Sequence, residues 1–118
     1  MVMLAKQYRL IKDKDFVRLA HRGQAVFCPE MGLKWVKNDL PYSRFGVVVS
    51  LKVDKRAVAR NRLKRVIRAV LRENFLMFRR GFDFMILTRA EAKGLNYTQI
   101  KGKIFRLFEK GGLIQLEK

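Results

Sequence analysis

Between Phe45 and Val53 apolar and other positions alternate. Phe45, Val47, Val49, Leu51 and Val53 point one way, and Gly46, Val48, Ser50 and Lys52 the other. A period of two predicts a β-strand with the first set toward a core, and the mixed second set on a face free to bind. The period then changes. Leu63, Val66, Ile67, Val70 and Leu71 share one face at about 100° per residue. Arg62, Lys64, Arg65, Arg68 and Arg72 spread over the other, with Asn61 among them. This predicts a long helix. Asp54 is placed to cap it, and the pattern runs to about Arg79, where Gly81 stops it. Phe75, Met77 and Phe78 in its last turns predict a C-terminal half more buried than the N-terminal half.

The same reading places the remaining elements. Asp13 or Asp15 could cap a short helix running to about Arg22, with Gly23 as its stop. Phe16 and Leu19 would share its buried side, with Ala20 beside them. A strand from Ala25 is broken near Cys28-Pro29, since proline cannot donate to a ladder. It resumes at Met31, Leu33 and Trp35, which alternate with Gly32 and Lys34. Residues 38–41, Asn-Asp-Leu-Pro, are a turn cluster. Phe82 to Thr88 reads as a strand. Asn96, with Gln99 three residues on, resembles a capping box for a last helix that buries Ile100, Ile104, Leu107 and Phe108 and ends at Gly111-Gly112. The order is helix, strand, strand, helix, strand, helix: one small α+β domain over residues 1–118, with a sheet face left partly uncovered.

Charge sharpens this outline. The formal net charge is +17 on 118 residues, which attracts polyanions, nucleic acid first and an anionic membrane surface second. With 49% hydrophobic residues and nine Phe, the chain is a folded domain and not a basic tail. No acid stands between Asp54 and Glu73, whereas ordinary solvated helix faces mix signs. Arg suits phosphate because its planar fork matches phosphate oxygens two at a time. No apolar run approaches the ~20 residues of a membrane span, and Val2, Met3 and Leu4 make no secretory core segment. Cys28 is the sole cysteine and His21 the sole histidine, so neither a disulfide nor a zinc site arises from these residues within one chain. A lone reduced thiol fits a cytoplasmic location.

The stretch from Arg44 to Arg68 resembles the core of the bacterial ribonuclease P protein subunit. In that family a strand leads into a helix opening Arg-Asn-Arg-x-Lys-Arg-x-x-Arg, a pattern that Arg60, Asn61, Arg62, Lys64, Arg65 and Arg68 fill. Arg9 to Phe16, ending at Gly23, is similar to the family's N-terminal helix, and Phe84 to Arg89 to its last strand. The resemblance implies an α/β sandwich with a left-handed strand–helix–strand crossover, a rare connection. It implies that the protein binds ribonuclease P RNA and the 5′ leader of precursor tRNA, while the RNA with Mg²⁺ performs the hydrolysis. Arg56, Arg60, Asn61, Arg62, Lys64, Arg65, Arg68 and Arg72 would then face the catalytic RNA. Phe16, Lys34, Ser50, Lys52 and Arg89 would line a cleft for the single-stranded leader. No catalytic residue, metal ligand, membrane or small-molecule substrate is implied. The chain departs from the family pattern at Leu51, Asp54 and Ala20.

A ribosomal protein or general RNA chaperone would explain the charge and fold class equally well, but not the complete helix motif. A protein nuclease would need a carboxylate cluster or a histidine base near the basic surface. Asp54 is the one acid near the start of that helix.

Overall fold

The computed structural model describes residues 5–115. After a 3₁₀ turn at Lys6–Tyr8 come α1 (Asp13–Arg22), β1 (Gln24–Phe27), β2 (Met31–Lys37), β3 (Arg44–Val48), α2 (Ala57–Asn74), β4 (Phe82–Thr88) and α3 (Tyr97–Lys110). Further 3₁₀ turns cover Phe75–Met77 and Ala90–Ala92. The strands form one mixed sheet in the order β1-β2-β4-β3. β1 and β4 flank β2 antiparallel, while β3 runs parallel to β4 and reaches it through α2.

The sheet has two unlike faces. Leu33, Trp35, Phe45, Phe84 and Ile86 point to one side and meet Leu63, Ile67 and Val70 of α2 and Ile100, Ile104 and Phe108 of α3. Phe78 seals this core, its ring stacked on Phe108 at 4.0 Å, with Phe84 edge-on to Phe108 at 4.9 Å. The other face carries Lys34, Val36, Gly46, Val48, Met85 and Leu87 by strand alternation. α1 covers it in part, through Leu19 and Phe16 against Met85, Val36 and Val48, with Leu10 from the segment before α1 buried beside them.

Several elements are bounded differently from the sequence reading. The strand interrupted at Cys28-Pro29 is a hairpin. Cys28 N–H donates to the Met31 carbonyl at 2.9 Å, and the chain turns back so that Phe27 pairs with Gly32. The strand starting at Arg44 stops at Val48 and not at Val53. Val53 N–H closes a turn onto the Ser50 carbonyl, Val49 and Val53 are buried, and Leu51 is thrown out to solvent. Asp54 is not the helix cap: α2 begins at Ala57 with Arg56 as its N-cap, and the Asp54 carboxylate accepts the Arg56 N–H just before the helix. α2 also ends at Asn74, short of Arg79. Asn74 Nδ2 donates back to the Val70 carbonyl at 2.8 Å, and a 3₁₀ turn swings Phe78 into the core. That swing leaves Phe75 and Met77 exposed, against the expected burial, with Leu76 exposed between them. α1 starts at Asp13 with Lys12 as its unadorned N-cap, and Ala20 is exposed. Gly23 does stop α1, and Asn96 with Gln99 forms the full capping box on α3.

A buried carboxylate fastens α1 to the sheet. Asp83, on β4 and wholly inaccessible, accepts from Arg18 of α1 at 2.7 Å. It also accepts from Arg44 of β3 through Nε at 2.9 Å and a terminal nitrogen at 2.8 Å, and from Asn38 Nδ2 at 2.9 Å. Asn38 in turn accepts the Leu40 N–H, which shapes the turn before β3. Asp15 stands 3.5 Å from Arg44. Removing one partner of such a pair leaves the other charges uncompensated. Asp83→Ala should therefore lower unfolding free energy by about 3 kcal/mol, the low end for a broken buried pair because Arg18 and Arg44 keep some water contact. Urea denaturation checks this, and an unchanged midpoint would contradict it.

Candidate nucleic-acid interface

α2 turns its basic residues in three directions. Asn61 and Arg65 are exposed on the outward stripe, and Arg68 is half-buried on its flank. Arg62 lies on the flank facing α3, where it donates to the Leu95 carbonyl at 3.1 Å. Lys64, one turn before Arg68 on the same side of the helix, is also half-buried. Arg60 is partly committed to the fold, since one terminal nitrogen donates to the carbonyls of Asp54 and Lys55, each at 2.9 Å. Arg72 stands apart. It is mostly buried and pairs with Glu73 at 2.8 Å. Glu73 also accepts from the Tyr97 hydroxyl, and that bond, with Arg72, holds its carboxyl below the usual range.

The loop before α2 is organised by Asp54. Its buried carboxylate takes the Arg56 backbone N–H at 2.9 Å and the Arg56 guanidinium at 3.0 and 3.2 Å, with Lys93 Nζ at 3.5 Å. The Arg56 hydrogen bonds pull the Asp54 carboxyl far below its ordinary value. The negative charge that departs from the family pattern is thus neutralised locally. Arg56 remains largely solvent-facing at the mouth of the helix.

On the sheet's other face the expected cleft residues fall into two groups. Phe16 lies against β3 over Gly46, where a Cβ would stand 2.8 Å from its ring. Lys34 sits in the row Ala25–Lys34–Met85–Gly46 across the sheet, and Arg89 extends β4 on the same side. Ser50 and Lys52 are not on the strand. They are exposed in the turn beyond β3, on the segment that leads to α2. A hollow of about 230 Å³ joins the two regions, lined by Arg9, Leu10, Ile11, Phe16, Phe45, Gly46, Val47 and Arg68. Through Arg68 the basic helix and the Phe16 groove form one surface. Arg9 and Ile11 escaped the sequence reading because the segment before α1 has no period to read. Arg9 Nε is buried with no hydrogen-bond partner among the described residues.

Taken together, the surface is a cationic helix beside an aromatic, basic groove one strand away. Positive grooves with aromatic platforms suit single-stranded nucleic acid, and a stripe of arginines suits backbone phosphates. Among the described residues no three His, Cys, Asp or Glu side chains gather as a metal site. Asp15, Asp54 and Asp83 are turned to guanidinium groups. No helix among the described residues is long and apolar enough to cross a membrane.

The model of the family described as Ribonuclease P matches residues 4–112. The chain belongs to the ribonuclease P protein family. It is 42% identical over 112 residues to the ribonuclease P protein component of Synechocystis sp. (strain PCC 6803), covering 94% of this chain and 90% of that one. It is 34% identical over 109 residues to that of Petrotoga mobilis, covering 89% and 92%. Among solved structures, the RNase P protein of Staphylococcus aureus superposes with a TM-score of 0.83 at 26% identity, covering 92% of this chain and 98% of that one. The RNase P protein of Thermotoga maritima gives 0.80 at 26% identity, with 93% and 98% covered. Superposition of this quality requires the same hand at the β3–α2–β4 crossover in all three chains.

Because the fold holds the Asp54 carboxyl below its unfolded value, its contribution to stability is complete above the ordinary carboxylate value of ~3.9 and is lost as pH falls from there toward the folded value. Asp54→Asn should lower the thermal midpoint at pH 7, with the gap from the parent narrowing below pH ~4. Melting curves across that range check the sign, and a gap that widened on acidification would refute it.

Proposed function

We propose that this chain acts as the protein subunit of ribonuclease P by binding the catalytic RNA along α2 and the 5′ leader of precursor tRNA across the uncovered sheet face. The carrying observation is the continuity, through Arg68, between the Asn61–Arg65 stripe and the groove holding Phe16. One RNA assembly whose catalytic strand lies on the helix and whose substrate leader enters the groove would use both at once. The first contacts are phosphate contacts, so they set position and affinity without reading sequence. The groove adds stacking, worth ~1–3 kcal/mol per base.

On this reading the chain supplies no reacting group. Its buried carboxylates are held by arginines, and the donor set does not fit a resident Mg²⁺. Mg²⁺ belongs with the RNA subunit, and the leader is removed there to give the mature tRNA 5′ end. The partners are ribonuclease P RNA and precursor tRNA, with no role for a membrane or a small-molecule substrate. The place of work is the cytoplasm.

Mixing the chain with a bacterial ribonuclease P RNA and a precursor tRNA at low Mg²⁺ should accelerate correctly placed 5′ cleavage, with none from protein alone. Tight RNA binding without acceleration would favour a ribosomal protein or RNA chaperone, which would co-sediment with ribosomal subunits.

Arg62→Ala with Arg65→Ala should weaken assembly with the catalytic RNA by roughly tenfold per arginine, at ~1.4 kcal/mol for each factor of ten. It should also flatten the dependence of log affinity on log salt by about two. Both side chains are exposed, so the circular dichroism spectrum should be unchanged. A collapsed spectrum would overturn the face assignment.

A further inference from the structure

The uncovered sheet face holds a second aromatic ring that neither the fold nor the basic helix uses. Phe27 is 43% exposed at the end of β1. It lies flat on the sheet because its cross-strand partner is Gly32, where a Cβ would stand 2.5 Å from Phe27 Cδ1. Any side chain at position 32 would lift the ring off. The Arg89 guanidinium lies over the same ring, 5.0 Å from its centroid. Both parts are anchored by backbone bonds. Lys110 Nζ donates to the Phe27 carbonyl at 3.1 Å, and Arg89 N–H donates to the Glu30 carbonyl at 2.9 Å. Among the ion pairs of the described residues, none involves Arg89.

We infer that Phe27 and Arg89 form a composite stacking platform for one unpaired base of an RNA strand crossing this face. The argument is one of arrangement. Phe16 on Gly46 and Phe27 on Gly32 are both rings seated on glycines, on the same side of the sheet and near opposite edges of it. Gly32 and Gly46 are separated by two strand spacings, ~10 Å across the sheet. Lys34 projects from β2 beside Gly32, at the far end of the Gly46 row, with Met85 and Leu87 of β4 as the floor between. A single strand laid diagonally from Phe16 to Phe27 would meet a ring, a cation and then a ring under a guanidinium. Aromatic faces accept any base, and a guanidinium plane stacks on a base as well as on a ring. The base can add to the outer face of the Arg89 guanidinium, or displace it onto the adjoining phosphate. Either way the contact is made by π surface and is tolerant of sequence. A merely structural Phe27 would need only apolar bulk on Gly32.

The inference rests on the leader reading given under Proposed function, and the test separates the two. Holoenzyme assembled with ribonuclease P RNA is titrated with precursor tRNA carrying a long single-stranded leader, and with the same tRNA carrying a one-nucleotide leader. Phe27→Leu, which keeps apolar bulk but loses the ring, should weaken the long leader by roughly five- to a hundredfold and leave the short one unchanged. In the parent holoenzyme, an abasic site at one leader position should cause the same loss, and should cost nothing further in Phe27→Leu. Phe27→Trp gives a second reading that does not depend on how the leucine variant folds. Its larger ring should tighten the long leader alone. Equal affinity of the parent, Phe27→Leu and Phe27→Trp for the long leader, with the parent still preferring it to the short one, overturns the platform and leaves the leader reading standing. A parent holoenzyme that binds both substrates equally overturns both.

Discussion

The arrangement depends on where a chain with a net charge of +17 spends its few carboxylates. Asp83 is placed at zero exposure in the middle of the molecule, between two arginines and an asparagine. It draws α1 onto the sheet through Arg18 and holds β3 against β4 through Arg44. Asp54 does the same for the loop that launches α2, through Arg56 and Lys93. Acids are thus turned inward as fasteners for structural arginines. α2 is left with unmatched charge at Arg65 on its outward stripe and at Arg68 on its flank. Self-repulsion there is a standing cost to the compact state, which an RNA backbone would relieve on the proposed reading.

The same fasteners decide which part of the sheet stays bare. α1 is ten residues long and is pinned at Arg18, over the β4 end that carries Asp83. It can cover Val36 and Met85 and reach Gly46 with Phe16, but not the β1–β2 ends of the rows, at Lys34, Gly32 and Phe27. Those rows are not hydrophobic enough to demand another helix. Gly32 and Gly46 remove side chains where rings lie, and Lys34 keeps its charge. A cleft therefore results from a short helix on a wide sheet, without any cavity being carved from the core.

What could be read beforehand followed from periodicity. α3 and the faces of α2 are long, regular segments whose burial matches their spacing, β4 is a nearly continuous apolar run buried on both faces, and the family resemblance rested on the densest of these segments. Failures came where a local signal was outvoted by packing. The Cys28–Pro29–Glu30 turn has no Asn-Gly or Asp-Gly signature, so a hairpin looked like one interrupted strand. Val49 and Val53 are buried, yet the chain between them turns. Alternation therefore continued on paper past the strand's end, carrying Ser50 and Lys52 with it. α2 stops early because Phe78 must reach Phe108, a contact thirty residues away that no helical wheel contains. In the candidate interface, α2 was legible from its charge pattern. Phe16 and Lys34 came from resemblance. Phe27 was invisible because its meaning lies in facing Gly32, which requires knowing the register of the hairpin.

A subunit built this way can matter to a reaction it does not perform. On the proposed reading, contacts between α2 and the catalytic RNA persist through the whole cycle, so they strengthen assembly without favouring one stage of it. Contacts in the cleft differ, because the leader is present in the precursor and absent from the mature tRNA. Binding energy spent there is withdrawn at the moment of cleavage, so it tightens the substrate without tightening the tRNA product. Energy placed on the tRNA body would be shared by both and would slow release. On the proposed reading, the separation of this surface into a phosphate-holding helix and a groove of seated rings is therefore a division between permanent and transient binding. Arg68, common to both, marks the boundary.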